Sequence, residues 1–150
     1  MGSLSLQAVA GIEPGLENLQ FVETSEGKNI PRDVRQVLAF IREHLFSPEL
    51  NVQQLKRGCG IGDNNVSSRF RRAVGIPIKD YIESLRMEAA ARLIRESLIS
   101  IYDIAQVIGY DNPQTFYRAF ERRFHCTPAT YRLLERRGLR TGETAAGPAT

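Results

Sequence analysis

The sequence predicts an all-α fold of about seven helices, arranged as two helix-turn-helix subdomains joined by a long linker helix. Three observations support this prediction. Apolar residues recur at helical spacing through the middle of the chain. Glycines at matching positions, Gly60 and Gly109, separate short helices in each half. The two halves are also related by an internal repeat of about 50 residues.

The first subdomain is predicted over residues 31–77 and contains three helices. The first follows Pro31 and buries residues spaced three and four apart, namely Val34, Val37, Leu38, Ile41 and Leu45. Asn51 caps a second, short helix that ends at the Gly58-Cys59-Gly60 segment. The third is expected from about Asn64 to Val74. Its inward-facing residues are Val66, Phe70 and Ala73.

A linker helix is predicted over residues 78–97, a stretch without Gly or Pro. Its apolar residues lie on more than one side, as expected of a helix packed between two cores. They are Tyr81, Ile82, Leu85, Met87, Ala90, Leu93 and Ile94.

The second subdomain is predicted over residues 98–138. Ser100 caps its first helix, which ends at Gly109, where the chain needs a positive φ. Asn112 caps the next helix and is followed by a proline at the first helical position. A last helix begins at Thr127-Pro128 and ends near Gly138. Aromatic residues predicted to lie in the core are Phe116, Phe120, Phe124 and Tyr131. Cys59 and Cys126 are predicted to be buried small hydrophobic residues.

The repeat relates the subdomains position by position. At a shift of 49 residues, Asn51 falls on Ser100 and Gly60 on Gly109. One added residue makes the shift 50, which pairs Val66 with Phe116, Phe70 with Phe120, Val74 with Phe124, and Tyr81 with Tyr131. Eighteen linker residues at about 1.5 Å each span about 27 Å, against about 34 Å for one turn of B-DNA. With the width of the helices added, both units could reach successive major grooves on one face of a duplex.

Composition bounds the class of protein. A hydrophobic content of 42% with 25% charged residues is typical of a soluble globular protein. No apolar run approaches the roughly 18 residues of a membrane span, and no secretory signal pattern is present. The two cysteines lie far apart and indicate neither a disulfide framework nor a zinc site. A cytoplasmic setting is therefore expected. Residues 31–137 hold 18 Lys and Arg against 12 Asp and Glu, a net charge of +6. Residues 1–30 carry a net charge of −3, so the basic charge belongs to the helical part.

The second helix of each helix-turn-helix carries outward polar side chains of the types that contact base edges. In the second subdomain the candidates are Gln114, Thr115 and Arg118, which suit adenine, a thymine methyl group and guanine. The alternative for Arg118 is an ion pair with Asp111 or Glu121, and for the others a solvated surface position.

Basic side chains nearby are candidates for phosphate contacts, which supply affinity and little sequence information. They are Lys56, Arg71, Arg72, Arg122 and Arg123. Arg86 and Arg132 are predicted instead to pair with nearby carboxylates and to hold the linker and last helices in place. His44 and His125 have no partner at metal-ligand spacing, and no catalytic motif or cofactor loop is present, so no metal site, cofactor or enzyme activity is expected.

Residues 31–137 resemble the DNA-binding domain of the AraC/XylS family of bacterial transcription regulators. The matching residues of the second half are Ile104, Ala105, Gly109–Asp111, Phe116, Arg118–Phe120, Arg123, Phe124, Thr127, Pro128, Tyr131 and Arg132; those of the first are Leu55, Gly60, Arg69, Phe70, Gly75, Tyr81, Arg86, Met87, Ala90, Leu93 and Ile94. The resemblance implies seven helices, with Asn64–Val74 and Pro113–Phe124 as recognition helices, and double-stranded DNA and RNA polymerase as partners. It also implies that Asn64, Ser67 and Ser68 are the base-contacting positions of the first recognition helix, where Asn64 suits adenine and the serines are short and weakly selective. The chain departs from the family pattern at Lys56, Gly62 and His125, where a small residue, a capping serine and a glycine are usual.

The predicted function is therefore sequence-specific binding of double-stranded DNA by a transcription regulator that inserts two recognition helices into successive major grooves. Two alternatives stay open: an all-helical basic module that binds an acidic protein, and an enzyme that carries this helical unit. Residues 1–30 and 139–150 lack a sustained period and are predicted to be mostly disordered tails or linkers. They are too short for the effector-binding or dimerisation domain usual in the family, so either a stand-alone regulator or a fragment is expected, and the Met-Gly-Ser start favours a fragment.

Overall fold

A computed structural model describes residues 29–138, and within that range the chain forms seven α-helices and no strand. The predicted all-α fold is confirmed. The helices are α1 (Arg32–His44), α2 (Val52–Cys59), α3 (Val66–Val74), α4 (Ile78–Glu96), α5 (Ile101–Ile108), α6 (Pro113–Phe124) and α7 (Pro128–Arg136). None of these helices is both long and apolar enough to cross a bilayer.

The predicted tails fall mainly on residues 1–28 and 139–150, which lie outside the described residues. At the inner end of the first tail, however, Ile30 is only 4% exposed and packs into the core. The ordered domain therefore includes the residue immediately before the predicted boundary at Pro31.

Capping side chains start four of the helices, and three of these caps, Asn51, Ser100 and Asn112, were predicted. Each accepts a hydrogen bond from a backbone N–H two or three residues further on, which satisfies one of the free donors of the first turn. The pairs are Asn51 with Gln54 N (2.8 Å), Ser100 with Asp103 N (3.1 Å), Asn112 with Gln114 N (2.9 Å) and Thr127 with Thr130 N (3.1 Å).

Helix α3 begins two residues later than predicted. The carboxylate of Asp63 accepts a hydrogen bond from the N–H of Asn65 at 2.9 Å and two from the Arg69 guanidinium at 3.0 and 3.1 Å. Arg69 also donates from Nε to Asp33 of α1 at 2.7 Å. These bonds hold the residues before α3 in a non-helical turn, so Asn64 precedes the recognition helix instead of lying on it.

Helix α4 belongs to two cores at once. Helix α3 packs on it from the first subdomain, where α1 in turn contacts α2 and α3, and α5, α6 and α7 pack on it from the second. The broad apolar surface predicted for it is confirmed. Its buried residues are Ile78, Tyr81, Ile82, Leu85, Arg86, Met87, Ala89, Ala90, Ala91, Leu93 and Ile94.

Phe124, Cys59 and Cys126 are half-buried, although they were predicted to be buried. The other predicted core aromatics, Phe116, Phe120 and Tyr131, lie in the core. Phe124 is at the edge of the core. It is the last residue of α6, and its ring packs on Phe120 (4.5 Å between centroids) and Tyr131 (5.2 Å). Cys59 and Cys126 are also half-buried, because one ends α2 and the other follows α6.

The departure from the family pattern at His125 has a visible consequence. His125 ends α6 with φ of 60°, and no other residue but glycine has a positive φ within residues 29–138. An L side chain in this left-handed conformation costs about 1–2 kcal/mol relative to the right-handed one, and glycine avoids the cost. The residue therefore strains the turn between α6 and α7.

Arg86 and Arg132 do not pair with carboxylates, which corrects that prediction. Both donate from Nε and Nη2 to backbone carbonyls near the end of a preceding helix, where the last carbonyls lack helical partners. Arg86 thus ties α4 to the end of α1, and Arg132 ties α7 to the end of α4. The acceptors are Leu45 (2.8 Å) and Ser47 (2.7 Å) for Arg86, and Ile94 (3.1 Å) and Ser97 (3.3 Å) for Arg132.

Candidate nucleic-acid interface

The exposed side of α6 carries the three predicted base-contacting residues of the second subdomain. Gln114 and Thr115 lie in its first turn, Arg118 lies one turn further on, and all three are exposed. Gln114 and Arg118 are four residues apart and therefore share a face. Phe116 and Phe120, which are 0% exposed, fix which side of α6 faces the core. The helix consequently presents its polar first turns to solvent.

Arg118 is available for an outside partner. The alternative ion pair with Asp111 or Glu121 does not form, and its guanidinium has no other hydrogen-bond or ionic partner within residues 29–138. A guanidinium presents donors in a planar fork that matches the O6 and N7 acceptors of guanine. Binding a base would therefore break no internal contact of this side chain among the described residues.

The predicted residues of the first subdomain divide into two groups. Ser67 and Ser68 are exposed in the first turn of α3, and Ser68 is the repeat equivalent of Arg118. Asn64 lies outside the helix, where its Oδ1 accepts a hydrogen bond from Lys56 Nζ at 2.8 Å. A predicted base contact and a predicted phosphate contact are thus brought together and bonded to each other. Lys56, at the position where the family usually has a small residue, spans from α2 to the turn before α3.

Two of the candidate phosphate contacts are unengaged. Arg71 and Arg72 lie exposed in the last turn of α3, and neither makes an ion pair with any residue from 29 to 138. Exposed guanidinium groups near a recognition helix can neutralise phosphates without losing an internal partner.

The other two arginine candidates bind the linker helix. Arg122 Nη2 lies 2.8 Å from Glu83 Oε1, and Arg123 Nη2 lies 3.7 Å from Glu88 Oε1. The hydrogen bond to Glu83 raises the pKa of the Arg122 guanidinium. Sequence periodicity gave no sign of these pairs, because the partners are 39 and 35 residues apart. Arg122 and Arg123 therefore link α6 to α4 in the free chain.

The contact between the subdomains centres on Arg86. This side chain is 7% exposed, and its guanidinium carbon lies 5.4 Å from the centre of the Tyr110 ring in the turn between α5 and α6. A Cβ placed on Gly109 would lie 2.9 Å from Arg86 Nη2 and 3.0 Å from the carbonyl oxygen of Phe46. The turn of the second subdomain therefore approaches the end of α1 closely, and glycine is required there.

Burial shifts the pKa values of both Arg86 and Tyr110. It lowers the pKa of the Arg86 guanidinium and raises the pKa of the Tyr110 hydroxyl, because each charged form loses solvation. Arg86 opposes the second shift by favouring the charged form of Tyr110. At neutral pH the pair is thus a charged guanidinium beside a neutral ring, the arrangement of a cation–π contact.

A cavity of about 260 Å³ lies beside this contact, between the start of α2, the first turns of α4 and the α5–α6 turn. Thr115, one of the candidate base contacts, lies in its wall. The two subdomains are therefore not close-packed along their whole boundary. Within the described residues, no group of three His, Cys, Asp or Glu side chains converges as metal ligands would.

Residues 55–133 match a protein family described as a helix-turn-helix domain. The chain is 34% identical over 99 residues to the regulatory protein SoxS of Escherichia coli (strain K12), covering 66% of this chain and 92% of that protein. It is 34% identical over 101 residues to the F1 operon positive regulatory protein of Yersinia pestis, covering 67% of this chain but only 34% of that protein. The chain thus spans about a third of the length of the latter relative.

Solved structures share the fold. The DNA-binding domain of AdpA, solved in complex with a target DNA, is 25% identical with a TM-score of 0.65, covering 71% of this chain and 95% of that one. The C-terminal domain of the response regulator yesN from Fusobacterium nucleatum is 26% identical with a TM-score of 0.62, covering 65% and 95%. The alternative of a module that binds an acidic protein finds no support among these relatives. From the matched family and these relatives, the chain belongs to the AraC/XylS family of DNA-binding transcription regulators.

Proposed function

We propose that this chain is the part of a transcription regulator that binds double-stranded DNA sequence-specifically, with α3 and α6 in successive major grooves. The observation that carries the proposal is the pair of helix-turn-helix units on one shared helix, each with a recognition helix whose first turn is exposed and polar. Helix α4 has 19 residues and is about 28 Å long, which suits two grooves about 34 Å apart once the helix widths are added.

The proposal assigns unequal parts of the sequence preference to the two recognition helices. On α6, Arg118 contacts guanine, Gln114 contacts adenine and Thr115 contacts a thymine methyl group. The α3 side supplies Ser67 and Ser68, whose short hydroxyls discriminate weakly between bases. Asn64 contacts adenine through the amide oxygen that also accepts the Lys56 hydrogen bond, since that oxygen has two lone pairs.

Affinity comes from the basic residues around these helices. Arg71 and Arg72 can bind phosphates directly, while Arg122 and Arg123 must exchange a carboxylate of α4 for a phosphate. We therefore expect Arg71→Gln to lower the slope of log affinity against log salt by about 1. Arg122→Gln should lower it by less, since Glu83 already offsets that charge.

A duplex selected from a random pool with the wild-type chain tests the proposal. Fluorescence anisotropy with the selected duplex and a scrambled duplex of equal length should give an affinity ratio of about 10³ or more at physiological salt. Both affinities should fall steeply as salt rises, because counterions are released from the phosphates. Equal affinity for the two duplexes across the salt range would refute the proposal.

The same proposal places the chain in the bacterial cytoplasm, with RNA polymerase as its partner on DNA and no catalytic role. The family to which the chain belongs consists of transcription regulators. In-vitro transcription from a template that carries the selected site tests whether RNA polymerase is a partner. Addition of the chain should change the transcript yield, and a template with the scrambled site should show no change. An unchanged yield on both templates would remove RNA polymerase from the proposal.

A further inference from the structure

We propose that the contact between Arg86 and Tyr110 sets the spacing between half-sites that the chain accepts, so that both act as positioning residues for DNA recognition. This inference rests on the proposed function, because it concerns how the two recognition helices are held relative to each other. Neither residue is among the candidates for contacting DNA.

Arg86 is anchored to the end of α1. It lies on α4, which both cores share, and it is the one charged residue buried in the described part of the chain. Its Nε and Nη2 donate to the carbonyls of Leu45 and Ser47, at the end of the first helix of the first subdomain. The guanidinium is therefore fixed on the first subdomain by two hydrogen bonds to backbone, which has little freedom to move.

The anchored guanidinium contacts the turn between α5 and α6. The ring of Tyr110 lies over the guanidinium, and Gly109 packs against Nη2 and against the Phe46 carbonyl. Tyr110 and Gly109 form the turn that immediately precedes α6. A shift of this turn relative to Arg86 would therefore move the recognition helix of the second subdomain.

Little else joins the subdomains directly. In the first subdomain the main helix contacts are those of α1 with α2 and α3, and of α3 with α4. In the second, α5, α6 and α7 all contact α4, and α6 also contacts α5 and α7. Beside the Arg86 contact the boundary opens into the cavity lined by Asn51, Lys79 and Thr115. Apart from α4 itself, the guanidinium is thus the main described bridge between the two units.

The consequence concerns DNA geometry. Adding or removing one base pair between half-sites rotates one groove relative to the other by about 34° and shifts it by about 3.4 Å. A chain whose subdomains are bridged must deform itself or the DNA to follow that change. A chain without the bridge follows it by turning the two subdomains relative to each other, at lower cost.

Tyr110→Leu removes the bridge. The lost ring contacts the Arg86 guanidinium and also packs edge-on against Phe116 at 5.6 Å between centroids, where leucine keeps an apolar side chain. The Arg86 hydrogen bonds to Leu45 and Ser47 stay in place. Tyr102→Leu is the matched control, because Tyr102 lies in the same subdomain, is 50% exposed and is not part of the boundary. The probes are the duplex selected with the wild-type chain, two versions with one base pair inserted or deleted between half-sites, and the scrambled duplex.

Wild type and Tyr102→Leu should prefer the selected spacing over both altered ones. Tyr110→Leu should lose about tenfold of that preference, which corresponds to about 1.4 kcal/mol and to the size of a desolvated cation–π contact. Residual dipolar couplings of the free full chain report the cause. Amides of α2 and α6 should fit one alignment tensor in wild type and two different tensors in Tyr110→Leu.

The outcomes are separable. Equal wild-type affinity for the selected and scrambled duplexes would refute the proposed function, and this inference with it. Specific binding in which wild type ignores spacing, or in which Tyr110→Leu is as selective for spacing as wild type, would overturn this inference alone. A loss of spacing preference while one tensor still fits both subdomains would also overturn it, because the loss would then not come from the bridge.

Discussion

The two glycines that end α2 and α5 allow the Arg86 contact to be measured by stability alone. Gly60 and Gly109 are repeat equivalents, both close a helix, and both have positive φ, 67° and 109°. A Cβ on Gly60 would meet nothing within 4 Å, whereas a Cβ on Gly109 would lie 2.9 Å from Arg86 Nη2 and 3.0 Å from the Phe46 carbonyl oxygen. Gly60→Ala is therefore a matched control for Gly109→Ala.

The expected magnitudes follow from these contacts. Alanine in the left-handed region costs about 1–2 kcal/mol, and the φ of Gly60 is close to the centre of that region at about 57°. Gly109 lies about 50° from that centre. There the added methyl group also meets a backbone oxygen, and overpacking adds about 1–3 kcal/mol. We expect Gly60→Ala to lower the free energy of unfolding by about 1–2 kcal/mol and Gly109→Ala by about 2–5 kcal/mol.

Urea unfolding followed by circular dichroism at constant temperature measures both values by linear extrapolation. The decisive quantity is the difference between the two variants, because the left-handed cost that both share cancels. What remains is the extra strain at the φ of Gly109 and the contacts of its new methyl group. A difference below about 0.5 kcal/mol would refute the argument, since additivity errors are of that size. It would mean that the turn before α6 relaxes away from Arg86 at no cost.

Three further predictions concern the base contacts, the core and pH. Arg118→Ala should reduce the preference for the base that Arg118 contacts by about 1–3 kcal/mol, and Ser68→Ala should reduce the preference at its own base by less. Affinities for single-base variants of the selected duplex measure both losses. Equal losses would contradict the unequal division of specificity. Phe120→Ala should lower the free energy of unfolding by about 3–5 kcal/mol in urea, because its side chain is 0% exposed, and a loss under about 1 kcal/mol would contradict its place in the core. The hydrogen bond from the Asn65 N–H, and after it the hydrogen bond from Arg69, hold the pKa of Asp63 below its ordinary value. The charged carboxylate therefore stabilises the fold above the unfolded pKa of about 4, and this stabilisation is lost as pH falls through the folded pKa. Urea unfolding should therefore show wild type to be more stable than Asp63→Asn at pH 7, with a difference that shrinks below about pH 4; a difference independent of pH would contradict this.

The sequence predicted the features that depend on local spacing. Phe116 and Phe120 recur at helical period and lie in the core, and Asn51, Ser100 and Asn112 cap helices because each precedes an apolar helical pattern. Such features need only a few neighbouring residues, so periodicity and capping preferences identify them.

What the sequence could not predict depends on partners distant in the chain. Asn64 was expected on α3, but Asp63 binds Arg69, which itself reaches Asp33 of α1, and these bonds delay the start of the helix. Arg86 was expected to find a carboxylate, yet its partners are carbonyls 39 and 41 residues earlier. No local pattern encodes such contacts, because they exist only once the helices have packed.

The shared position of α4 has a consequence for how the chain unfolds. Leu85 and Ile94, two of its buried residues, are each 1% exposed because neighbouring helices cover them. If one subdomain unfolded alone, part of this helix would become solvated while still attached to the other core. At about 25 cal/mol per Å² of apolar surface, that exposure penalises a half-folded chain. The two subdomains are therefore expected to melt as a single cooperative unit, and a chain cut within α4 would leave each half with an uncovered apolar face, unlike tandem domains joined by a free linker.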